Sequence, residues 1–185
     1  MNREHAITLT PAEIALHREG RLLWLVRAAE LPNADWRVTT REDGFWQVDA
    51  PTHGKGVFPC PLGQPGDVLF HQEEWFDNCT SIEDQVIGAP RVYYRAADPE
   101  YDQFEGETPV WQPAETMPSW ASRYRIPVTS VELVRLQGIP WHEMHRAGFP
   151  HSPLKAKDWD EANPDTPWAS NPFVWKVGVA QGEGS

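Results

Sequence analysis

Cysteine is scarce in this chain: Cys60 and Cys79 are the only two. Two thiols are too few for a disulfide scaffold and cannot alone complete a zinc site, so reduced thiols are expected, with no metal and no cofactor. Long apolar runs are missing as well, and none approaches the roughly 20 residues that a membrane span needs. The start, "MNREHAITLT", lacks the basic start and greasy stretch of a secretory signal, so a cytoplasmic location is expected. Positive charge is short too. Against 27 Asp and Glu stand 16 Lys and Arg, a net charge of −11 that disfavours non-specific binding to a polyanion such as duplex DNA. The shortage is regional: from Asp67 to Glu115 twelve acids meet only Arg91 and Arg95, leaving fifteen acids and fourteen bases elsewhere. That near-neutral remainder has room for a basic cleft.

What is plentiful is tryptophan, with 10 residues, and proline, with 18. Proline interrupts helices and central strands alike, so a loop-rich fold with short strands is expected. At 185 residues the chain suits one core. We therefore expect a single domain over 1–185, with insertions at about 30–60, 76–90 and 97–110.

Local patterns fill in the elements. "AITL" reads as a strand, and "TPAEIALHREG" as a helix with Thr10 as cap, Pro11 in the first turn, Glu13 completing a capping box and Gly20 at the end. Its apolar side would be Ala12, Ile14, Ala15 and Leu16. "RLLWLVRAA", "GFWQVDA", "GDVLFHQEEW", "RVYYR" and "NPFVWKVGVA" read as strands, and "PWHEMHRAG" as a short helix. In "RYRIPVTSVELVRL" the apolar face is even-numbered through Val128 and odd-numbered from Val131, which predicts a bulge near Thr129 and Ser130. Pro127 in this strand argues for a sheet edge. The fold class is α+β, or a small barrel with helices over its openings.

Few of the candidate chemistries survive inspection. His142 and His145 lie three apart on the short helix and could share a metal, or simply form a solvated face. Neither a Gly-x-Ser-x-Gly elbow nor a glycine-rich phosphate loop occurs. Glu73 and Glu74 are adjacent on a strand, so only one can face inward. An inward Glu73 would bond a base's amino group, act as general acid or base, or pair with an arginine. Trp24, Trp75, Trp111, Trp120, Trp168 and Trp175 fall at strand–loop junctions, where indoles either fill the core or stack on a flat ligand.

Three stretches, "PLGQPGDVLFHQEEW", "YYRAAD" followed by "WQPAETMPSWASR", and the terminal "NPFVWKV", resemble the phage and prophage branch of the ASCH family, a group of PUA-like domains. The resemblance runs in order over nearly the whole chain. It implies a PUA-like β-barrel with helices at its ends and a cleft beside the first helix. It also implies host cytoplasm as the location, and RNA, single-stranded DNA or a modified nucleotide as the partner. Glu73 matches the family's glutamate, Arg21 and Arg27 its basic positions, and Trp120, Ser122 and Arg123 its Trp-Ala-Ser-Arg block. Leu22 and Leu23 stand where a lysine and a threonine are expected, Leu25 and Val26 replace polar or basic residues, and Gln72 replaces an arginine.

A leucine neither activates a nucleophile nor holds an oxyanion, so the family's amidohydrolase reaction is expected to be lost. The expectation is a non-catalytic reader in which Arg21, Arg27 and Arg123 contact phosphate, Trp75 or Trp120 stacks, and Glu73 with Ser122 bonds a base edge. The alternatives are a ribonuclease or acetylcytidine hydrolase rearranged around Glu73, and a module binding a host or phage protein.

Overall fold

The computed structural model describes residues 2–29, 31, 37–41, 46–50, 54–77, 92–97, 110–149 and 155–181. Cys79 and most of the expected insertions at 76–90 and 97–110 lie outside these. The architecture is mixed α+β, mostly sheet with few helices, and no described helix is long and apolar enough to cross a membrane. The strands are β1 Glu4–Ile7, β2 Trp24–Ala28, β3 Arg37–Thr40, β4 Trp46–Ala50, β5 Gly54–Phe58, β6 Val68–His71, β7 Trp75–Asp77, β8 Val92–Tyr94, β9 Arg125–Arg135 and β10 Phe173–Val179. The helices are α1 Pro11–Arg18, α2 Trp141–His145 and α3 Lys155–Ala162.

Three sheets form, ordered β1-β6-β9-β10-β2, β3-β4-β5 and β7-β8, and none closes on itself among the described residues. The chain gathers into two compact units: Met1–His5, Leu9–Leu69 and Ile126–Ser185 make the first, and Ala6–Thr8 with Phe70–Arg125 the second.

In the first unit α1 begins as its sequence dictates. The Thr10 hydroxyl accepts from the Glu13 amide at 3.2 Å, and the Glu13 carboxylate accepts from the Thr10 amide at 2.8 Å, so two otherwise orphaned donors are satisfied. Gly20, at φ +65°, lets the chain leave the helix. The buried face differs from the expected apolar one: Ala15 is exposed and Glu13 is the helix's buried residue. Burial of that carboxylate is offset by Arg27 of β2, which donates to both oxygens at 2.6 and 3.0 Å.

All seven residues of β10 are buried. On one side its Val174 joins Val26, Leu136, Ile139, Met144, Ala147 and Trp159 in a core cluster. Each fully buried side chain of this size contributes about 1.5–3 kcal/mol. Trp159 sits on α3, a helix that the proline-flanked "KAKDWDEA" gave no reason to expect.

Strand β9 carries the expected bulge. Gly178 lies opposite Ser130 and Val179 opposite Val128, so Thr129 is the extra residue. A β-carbon on Gly178 would lie against the Ser130 and Thr129 hydroxyls and 3.0 Å from the Trp24 ring. The edge position expected from Pro127 is not found, because β9 lies between β6 and β10. Pro127 is tolerated there because it stands just past the end of the β10 ladder, where only its carbonyl is used, accepting from the Ala180 amide at 2.9 Å. Where one strand was expected between 30 and 60, an antiparallel meander β3-β4-β5 forms, with Trp46 edge-on to Trp175 at 6.3 Å.

Candidate functional site

The first unit contains a cleft of about 360 Å³ where α1 ends and α2 passes, lined by Arg21, Trp141, His142, His145, Arg146 and Gln181 among others. That volume is within the range of small-molecule pockets. Among the described residues no carboxylate lines it. Its polar character is therefore cationic, in a chain that is acidic as a whole. Arg21 makes a 2.8 Å pair with Glu19, but both side chains are more than half exposed, so water screens the pair and it is easily exchanged for another anion. The His145 and Trp141 rings meet in a T-shape at 6.0 Å, and Trp141, which also packs against the core cluster, supplies part of the cleft lining.

Sequence puts these groups together for a local reason. "WHEMHR" places Trp141 and His145 one helical turn apart, and His142 with Arg146 likewise, while Met144 points into the core. Glu143, on the same short helix, reaches Lys176 of β10 at 2.7 Å. The Lys176 ammonium also lies 3.4 Å from Glu132 and 4.0 Å from the centre of the Trp24 ring, and its side chain is 8% exposed. This ion cluster, in which Lys176 is buried and its two carboxylate partners reach solvent, ties α2 to β10. Among the described residues no group of three or more His, Cys, Asp and Glu is arranged to hold a metal ion.

In the second unit, Glu73 and Arg123 are paired. Glu73 is turned inward and Glu74 outward, as expected, but both lie in the link 72–74 between β6 and β7 rather than on a strand; Glu74 meets Arg95 at 3.2 Å on the surface. The Arg123 guanidinium also lies 4.4 Å from the Tyr94 ring centre and 5.4 Å from that of Tyr124. The hydrogen bonds that Arg123 donates to Glu73 raise its pKa, more than desolvation lowers it. Tyr94 donates to the Ala121 carbonyl at 2.6 Å. The Ser122 hydroxyl is buried and bonds the His71 and Tyr124 carbonyls at 2.8 and 3.0 Å. Gln72 reaches the Glu115 and Met117 carbonyls. Trp75 donates its indole N–H to Thr116 and stands edge-on to Trp120 at 6.2 Å. Trp120 remains 54% exposed on the short turn Ser119–Ala121.

Of the seven expected contact residues, Arg21 and Arg27 thus belong to the first unit and Glu73, Trp75, Trp120, Ser122 and Arg123 to the second. Arg21 lines the cleft, and Trp120 is about half exposed. Arg27, Glu73, Ser122 and Arg123 all spend hydrogen bonds within the fold. Sequence reasoning passed over Trp141 and Arg146 altogether and read the two histidines only as metal ligands or a solvated face. The signal available was the crowding of aromatic, imidazole and guanidinium groups in six consecutive residues.

No protein-family model matches this chain, and no curated protein or solved structure matches it either.

Proposed function

We propose that this protein is a binding module for a nucleotide or for single-stranded nucleic acid, RNA or DNA, built on a PUA-like barrel of ASCH type and acting without chemical change to its ligand. The observation that carries this reading is the cleft in which Arg21 and Arg146 flank Trp141 and two imidazoles. Guanidinium forks match phosphate oxygens in pairs, and an indole face stacks on a base with about 1–3 kcal/mol. Exposed Trp120, steadied by Trp75, offers a second stacking face in the other unit. The net charge of −11 repels bulk duplex and leaves affinity to those few contacts.

The barrel assignment draws support from the sheet order β1-β6-β9-β10-β2, with α1 leading directly into β2. The absence of turnover draws support from Leu22. Its side chain, 1% exposed, is part of the core at the position where the family's lysine would stand.

Tryptophan fluorescence titration with single-stranded RNA, single-stranded DNA and nucleoside monophosphates tests the reading. Saturable quenching is expected, and an Arg21→Ala/Arg146→Ala double variant should weaken it about tenfold or more. A flat response to every ligand would remove the reading.

A further inference from the structure

We infer that the cleft recognises a terminal phosphomonoester, the phosphate end of a single nucleotide, and that His142 and His145 belong to its grip. The inference rests on the binding reading above and narrows it. A polynucleotide lying across the surface needs a succession of cations along its backbone, and log affinity falls with log salt roughly in proportion to their number. Here the cations are gathered at one place: Arg21 and Arg146 share a cleft of about 360 Å³ with both histidines. Two forks and two imidazoles around one small volume suit a compact dianion better than a chain of monoanions. Trp141 gives the attached base a wall.

The charged groups on the elements around α2 are mostly committed elsewhere. From α1 and its end come His17, whose pKa burial lowers, and Glu19, which pairs with Arg21. Arg27 of β2 is held by Glu13, Lys176 of β10 by Glu143 and Glu132, and α3 contributes Asp158. The cleft itself brings two guanidinium forks and two imidazole rings, all able to donate N–H bonds, to one ligand. A phosphomonoester carries close to two negative charges at neutral pH and a diester one, so a terminal phosphate gains more from donors gathered at one point.

The test is calorimetric titration of the whole protein at about pH 7 with inorganic phosphate, uridine 5′-monophosphate, uridine and a single-stranded oligouridylate lacking terminal phosphates. The expected result is that the monophosphate binds about tenfold or more tighter than uridine or the oligouridylate, and that His142→Ala/His145→Phe, which removes the ring donors but keeps a ring against Trp141, weakens monophosphate binding about tenfold. Monophosphate binding no tighter than that of uridine, or a double variant with wild-type affinity, overturns the inference. Binding of the oligouridylate without binding of monophosphate or phosphate overturns it while leaving the proposed function standing. Silence with all four ligands overturns both.

Discussion

The Arg123 guanidinium grips the Glu73 carboxylate with two parallel bonds, Nε to Oε1 at 2.8 Å and Nη2 to Oε2 at 2.6 Å. Glu73 is 8% exposed and Arg123 27%, so removing one partner strands a charge that water barely reaches. Arg123→Met or Glu73→Leu should each cost about 2–4 kcal/mol in urea unfolding. The double variant should cost less than either single one. Additive losses would mean that the pair is not coupled.

Gly178→Ala tests the bulge. The added methyl would meet the Thr129 and Ser130 hydroxyls, which must turn away, and the Trp24 ring at 3.0 Å, which is packed against the core cluster. Overpacking of this kind costs about 1–3 kcal/mol. Thermal unfolding should therefore move down by several degrees, whereas the same change at Gly138, where nothing lies within 4 Å, should move it little.

Asp67 gives the acid limb of stability. The Arg3 backbone amide at 2.9 Å is the main cause of its lowered pKa, with the Gln64 amide and the His5 ring adding to it and burial opposing. A carboxylate whose folded pKa lies below its unfolded value stabilises fully above the unfolded value, here 3.8, and the gain is lost as pH falls through the folded value. Urea midpoints measured from about pH 5 to pH 2 should fall less steeply in Asp67→Asn than in the wild type. Parallel curves would show that Asp67 is not a source of the acid limb.

Cys60 should be chemically silent. Burial pushes its thiol up to about 11, against a smaller opposing effect of the Leu62 backbone hydrogen bond. Thiolate is the reactive form, so labelling by a disulfide reagent near pH 7.5 should be slow at Cys60 in the native protein and fast in denaturant. Rapid native labelling at Cys60, located by peptide mapping, would contradict the burial.

Local rules carried the sequence reading where the interaction was local. Thr10, Pro11 and Glu13 spell out the start of α1, and the parity change between Val128 and Val131 marks the bulge at Thr129. Non-local pairing was out of reach. Glu73 meets Arg123 across fifty positions, and nothing in either stretch says which of its weighed roles the glutamate takes. Pro127 argued for an edge, and only the length of β10 explains why a central strand accepts it. β3 and β5 escaped notice because turn residues crowd their flanks, and α3 because prolines do. The cleft groups lay in plain view in "WHEMHR", but only the fold brings Arg21 alongside them.

Lys176 has a further effect on how this chain finds its structure. Apart from Lys176 and Gly178, strand β10 carries only apolar side chains, and these alone would discriminate weakly between offsets against β2 and β9. A one-residue slip would swing the ammonium to the opposite face, away from Glu132, Glu143 and Trp24, and leave a bare cation in oil. The lone charge thus acts, beside Gly178 at the bulge, as a key that admits one alignment and penalises its neighbours, giving the sheet uniqueness that greasiness alone cannot supply.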